Sequence, residues 1–152
     1  MKFFSCFVLI TAVAVSGCGG GSSPTVPTPT APTAPPANVP FSATDLQVGT
    51  GAEATQGRAV AVNYTGWLYS TTAADNKGTR FDSSLDPGRQ PLVFTVGTNQ
   101  VIAGFSQGVQ GMRVGGTRRV VIPPNLGYGG QANGPIPANS TLLFEISLVA
   151  VQ

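Results

Sequence analysis

Residues 141–151 read TLLFEISLVAV. Leu142, Phe144, Ile146, Leu148 and Ala150 alternate with Leu143, Glu145, Ser147, Val149 and Val151. That period of two is the side-chain period of a β-strand. Both sets are largely apolar, and a strand apolar on both faces belongs in the middle of a sheet. Upstream of it, Ala59 to Leu68, Leu92 to Val96 and Thr117 to Ile122 are predicted strands, each bounded by Gly or Pro. Leu46 to Val48 adds a short one. A single segment has helical spacing: Val101, Ile102, Phe105, Val109 and Met112 fall three or four apart on one face, with Asn99 placed as N-cap. Gly104, Gly108 and Gly111 each cost about 1 kcal/mol relative to Ala, so the helix is expected to be two or three turns long. Antiparallel strands with one short helix make an α+β domain in which the sheet covers the helix. The segment from Phe41 to Gln152, about 110 residues, is long enough for one core.

The segment before Phe41 has a different composition. Lys2 precedes an apolar stretch from Phe3 to Val15 broken only by Ser5 and Thr11. About 13 residues fall short of the roughly 18–20 that cross a bilayer as a helix, and they fit the apolar core of a secretory signal. Val15-Ser16-Gly17-Cys18 resembles a bacterial lipobox, in which cleavage before the cysteine leaves a thiol to be lipidated. The other reading is an ordinary signal peptide with Cys18 as a bystander. Cys6 lies in the removed segment, so Cys18 has no disulfide partner in the mature chain. Residues 1–17 are thus expected to be a lipoprotein signal peptide. Lipid on Cys18 would tether the chain outside the cytoplasm, at the outer membrane or in the periplasm if the cell is Gram-negative. From Gly19 to Pro40 the chain is a Gly-Ser run followed by Pro alternating with Thr and Ala. Such a segment favours extended polyproline II geometry. Some 20 residues at about 3.1 Å each would set the domain roughly 60 Å from its anchor. The expected organisation is therefore signal 1–17, anchored linker 18–40 and folded domain 41–152.

The chain has no histidine, a net charge of +2 and only 9% charged residues. Arg118-Arg119 is its only adjacent basic pair, and without a basic stripe nucleic acid is not an expected partner. Acid–base, nucleophilic and metal chemistry lean on histidine or cysteine. Any reaction run here must therefore need no proton relay, and no cofactor or metal is expected. No helical dimerisation segment precedes Phe41, so a monomer is expected.

The remaining pattern lies between Tyr64 and Phe144. Val62-Asn63-Tyr64-Thr65-Gly66, Phe81-Asp82-Ser83-Ser84, Val101-Ile102-Ala103-Gly104-Phe105, Gly127-Tyr128-Gly129, Ile136-Pro137 and Thr141-Leu142-Leu143-Phe144-Glu145 occur in that order. Taken singly, Phe144 and Ile102 fit a plain core, and Tyr64 fits a strand aromatic with its hydroxyl at the surface. Asp82 before two serines fits a turn-forming acid. Tyr128 among glycines fits a mobile loop better than a core. Together, over about 110 residues, the motifs resemble FKBP-type peptidyl-prolyl cis-trans isomerases, specifically a bacterial lipoprotein form. The resemblance implies five to six antiparallel strands wrapped around one short helix, which agrees with the strand and helix reading made without it.

The resemblance further implies a pocket for proline. Tyr64, Phe81, Phe105 and Phe144 match its walls and floor, and Leu92 and Ile136 its flanks. Val101 and Ile102 match the helix entry, where the Ile102 N–H would hold a substrate carbonyl. Asp82 matches the acid beside the pocket and Tyr128 the phenol that hydrogen-bonds the substrate chain; these two are the candidate catalytic residues, orienting the carbonyl electrostatically. Proline-containing polypeptides are the implied partners, with the family's macrolide inhibitors as a second ligand class. Folding of extracytoplasmic proteins is the implied role. Phe105 stands where the family most often has Trp, and Trp67 lies elsewhere. Ser70 to Thr79 is expected to form an extended hairpin loop, with turn chemistry at Asp75-Asn76-Lys77-Gly78. Leu85 to Pro91 departs from the family's length and leaves Arg89 without a place; the loop after Tyr128 aligns Asn133 and Pro135 only loosely. Two other functions stay open on sequence: a proline-binding or chaperone module with little turnover, and a β-rich surface adhesin whose aromatics are core.

Overall fold

The strand that ends the chain lies at the middle of its sheet. The computed structural model describes residues 39–152. Within them β1 (Ser42–Gln47), β2 (Ala59–Tyr69), β3 (Lys77–Ser83), β4 (Leu92–Thr95), α1 (Ala103–Val109), β5 (Thr117–Ile122) and β6 (Leu142–Val151) follow in order. The sheet order is β1-β5-β6-β2-β3, with β4 also on β2, and every pairing is antiparallel. This is the α+β architecture the alternation predicts. The leader 1–17, Cys18 and the linker through residue 38 lie outside the described residues.

Strand β2 is long enough to serve two partners along one edge. Ala59 to Val62 pairs with β4, and Thr65 to Tyr69 with β3. Its other edge pairs with β6 along nearly its whole length. On one face of the sheet Val60, Val62, Val120, Ile122, Leu142, Ile146 and Leu148 pack with Phe105 and Val109 of α1. Each such fully buried side chain contributes about 1.5–3 kcal/mol, and this layer holds the helix against the sheet.

Three local expectations need correction. The first strand is Ser42–Gln47 rather than Leu46 to Val48. It runs along the sheet rim fully exposed, so no hydrophobic alternation marks it. The expected hairpin loop Ser70 to Thr79 is shorter at its far end, since β3 begins at Lys77 after a 3₁₀ turn at Ala74–Asn76. Asp75 and Asn76 do turn the chain, with φ of 55° and 59°. The helix starts later than expected, with Ile102 rather than Asn99 at its N-cap. Gln100 accounts for the delay: its Oε1 accepts the Thr95 N–H at 2.7 Å and the Thr98 hydroxyl at 3.2 Å, which keeps this stretch a turn. The Ile102 carbonyl then accepts the N–H groups of Phe105 and Ser106.

Candidate active site

A cavity of about 160 Å³ opens between the sheet and the start of α1. Its interior is a box of rings. Phe105 meets Phe144 edge-to-face at 5.2 Å between centroids and Tyr64 at 5.7 Å, and Phe81 meets Phe144 at 5.6 Å. Phe94 backs Phe105 from the core at 5.7 Å. Edge-to-face pairs add about 0.5–1.5 kcal/mol each beyond area burial, so the box is stiff as well as apolar. Phe105 is only 3% exposed. Leu92, Val101 and Ile102 also line it, with Asp82 and Tyr128.

Phe81 and Asp82 are adjacent, and in a regular strand they would point to opposite faces. Both line the cavity because β3 slips register there. Gly66 is opposite Asp82 and Trp67 opposite Arg80, so Phe81 is the extra residue of a bulge. Gly66 is small for a related reason: a Cβ on it would stand 2.6 Å from Phe81 and 2.8 Å from Phe144. The two serines after Asp82 lock the backbone of Tyr64. Ser84 donates its N–H to the Tyr64 carbonyl at 2.9 Å, and its Oγ accepts the Tyr64 N–H at 2.9 Å. The Ser83 hydroxyl donates to the same carbonyl at 3.1 Å.

The carboxylate of Asp82 is engaged inside the protein. It accepts the Tyr64 hydroxyl at 2.5 Å, its own neighbour's N–H (Ser83) at 3.0 Å, and an ion-pairing N–H of Arg89. Asp82 therefore fixes the Tyr64 ring and the 84–91 loop, and Arg89, which sequence left unplaced, reaches the pocket through it. Burial first, and then the hydrogen bond to Asp82, push the Tyr64 phenol up to about 12. Among the donors on residues that line the cavity, the Ile102 backbone N–H and the Tyr128 hydroxyl have no hydrogen-bond partner among the described residues.

Nine of the ten pocket residues expected from sequence line this one cavity: Tyr64, Phe81, Asp82, Leu92, Val101, Ile102, Phe105, Tyr128 and Phe144. The tenth, Ile136, is buried and lines an adjoining cavity of about 170 Å³ that shares Phe81, Asp82 and Tyr128 and adds Asn133 and Pro135. Gln100 also lines the main cavity and was not expected; its role rests on the turn it braces, which no local pattern marks. Cys18 lies outside the described residues.

Residues 51–149 match the family of FKBP-type peptidyl-prolyl cis-trans isomerases. An FK506-binding protein of Neisseria meningitidis serogroup A is 49% identical over 108 residues, which cover 70% of this chain and 92% of that protein. The solved structure of AtFKBP13 is similar with a TM-score of 0.63 and 34% identity, covering 78% of this chain and 97% of that one. FkpA from Escherichia coli is similar with a TM-score of 0.62 and 35% identity over 74% of this chain; the match spans 48% of FkpA's length. The aromatic box, the order of its motifs and these likenesses agree: the chain belongs to the FKBP-type peptidyl-prolyl cis-trans isomerase family.

Proposed function

We propose that the box around Phe105 is where this isomerase turns X-Pro bonds, and that it does so outside the cytoplasm, tethered through lipid on Cys18. Rotation about the bond is opposed by amide resonance, a barrier of about 18–20 kcal/mol. Twisting removes conjugation and leaves the carbonyl less polarised than in the planar amide, which water solvates better. An apolar cavity therefore favours the twisted state over the planar one, and that difference in binding is catalysis. The observation that carries the reading is the pairing of an apolar interior with uncommitted donors on its lining residues, the Ile102 N–H and the Tyr128 hydroxyl among them. The Ile102 N–H takes a substrate carbonyl, and the Tyr128 hydroxyl holds the neighbouring chain. No proton moves, so the absence of histidine is no obstacle. Asp82 acts by holding Tyr64 and Arg89.

The test is proline-limited refolding of a model substrate with the purified full-length chain. The expected result is faster refolding than the uncatalysed roughly 10–100 s, with suppression by a family macrolide. Substrate binding without acceleration would sink the catalytic reading in favour of a proline-binding module. The tether rests on the apolar leader, the Val15–Cys18 motif and the Pro-rich spacer. Among the described residues no helix is long and apolar enough to cross a membrane. Metabolic palmitate labelling should mark the wild-type chain and miss Cys18→Ala; equal labelling of both would overturn the tether. The role proposed for the tethered domain is the folding of extracytoplasmic proteins near the membrane, as a monomer.

A further inference from the structure

The cavity depends on where α1 lies along the sheet, because the helix entry supplies Val101, Ile102 and Phe105. One strand sets that position. A Cβ on Gly104 would fall 2.4 Å from the Ile122 side chain, and one on Gly108 2.7 Å from the Val120 side chain. The helix thus rests directly on alternate residues of β5. Two residues of strand advance about 6.8 Å, and four residues of helix about 6 Å, so the two repeats run nearly in step. The next inward residue of β5 is Arg118, at the C-terminal end of the helix. Its Nη1 donates to the Gly108 carbonyl at 3.0 Å and the Gln110 carbonyl at 3.1 Å. Its Nε and Nη2 donate to the two oxygens of Asp45 on β1, at 2.6 and 3.1 Å. The side chain is 15% exposed.

We infer that Arg118 is a positioning residue for the isomerase site, fixing the register of α1 along β5 and with it the placement of Ile102 and Phe105. A helix leaves its last carbonyls without partners inside the helix, and a cation at that end is favoured by the helix dipole. Short as it is, α1 has no long apolar stripe to hold it against axial sliding. The two glycine contacts are smooth, so directional restraint comes from polar groups: Ser106 Oγ accepts the Gly97 N–H at 2.9 Å on the side away from the strand, and the Arg118 guanidinium is the restraint that β5 supplies. Asp45 orients the fork from β1 but does not touch the helix.

The inference rests on the pocket being catalytic, so the test carries one readout that does not need activity. In the full-length chain, Arg118→Met is expected to raise KM and lower kcat/KM by between about 10-fold and about 100-fold, the scale of a small displacement remote from the chemistry. Partial unfolding would instead scale kcat and leave KM alone. The backbone amide NMR signals of Ile102 and Phe105 should shift in the folded variant. Asp45→Asn loses the fork to β1 while leaving the helix contact, and should keep wild-type KM and amide positions. Arg118→Lys retains a donor for the helix carbonyls and should restore KM; it carries the test if the Met variant does not fold. Unmoved Ile102 and Phe105 amides in Arg118→Met, a raised KM in folded Arg118→Lys, or the same shifts in Asp45→Asn would each overturn the inference. Shifted amides in a chain that proves inactive would sink the catalytic reading and leave the positioning intact.

Discussion

The two faces of the same three strands solve opposite problems. On the inner face Tyr64, Phe81 and Phe144 stand edge-to-face and leave a space open to solvent. On the outer face Trp67 lies under the Lys77 ammonium, 4.7 Å from the ring centroid. Lys77 and Arg119 both pair with Glu145, at 2.8 and 2.9 Å. Leu143, on that outer side of β6, is only 1% exposed. The outer face is filled and its charges are matched, whereas the inner face is kept hollow by a bulge and a glycine. The contrast teaches that function here lies in what is left unfilled, and that the polar groups of the pocket are few and mostly engaged with one another.

Removing the ring at the centre of the box should have the largest effect. Phe105→Ala is expected to cost about 3–5 kcal/mol in urea unfolding and to abolish measurable isomerase activity. Trp67→Ala on the outer face should cost less and leave kcat/KM unchanged in the folded protein. Next comes Gly66→Ala, whose methyl would push on Phe81 and Phe144; overpacking of this kind costs about 1–3 kcal/mol. Its activity loss should exceed that of any outer-face change of equal destabilisation, which kcat/KM beside the unfolding midpoint would show.

The faces should also separate by pH. Tyr64 has a folded value raised from 10.0 to about 12. Its contribution to stability is complete below pH 10 and is lost as pH rises toward 12, and Tyr64→Phe should remove that alkaline slope. Around Glu145 burial pushes the carboxyl up, but hydrogen bonds from Lys77 and Arg119 outweigh it and leave the group below its ordinary 4.5. Its contribution is present above pH 4.5 and lost as pH falls through the lowered value. Glu145→Gln should flatten the acid side of a stability profile without touching the alkaline side. The smallest effect belongs to Lys77→Ala, where loss of a partly exposed ion pair costs about 0.2–1 kcal/mol and activity stays at the wild-type level.

What could be read in the sequence followed the same division. Strands β2, β5 and β6 were legible because apolar alternation marks any strand with one face in a core, and they carry Tyr64 and Phe144. Strand β3 was not, because two register slips and the polar run Lys77-Gly78-Thr79-Arg80 erase the period. That Phe81 and Asp82 share one pocket follows from the bulge alone and shows in no side-chain pattern. The glycines of α1 read as weakness in a helix, while the structure uses Gly104 and Gly108 to bring it onto Ile122 and Val120. Arg89 could not be placed and Gln100 was missed because each acts through a partner several residues away, Asp82 for Arg89 and Thr95 for Gln100.

The central claim is that an apolar, preorganised cavity turns the bond without proton transfer. The direct test is kcat/KM for X-Pro isomerisation by the full-length chain across about pH 6 to about 9, where no unperturbed carboxylate or tyrosine titrates, in both light and heavy water. The prediction is a flat profile with equal rates in the two solvents. A bell-shaped profile, or a rate that falls in heavy water, would contradict it.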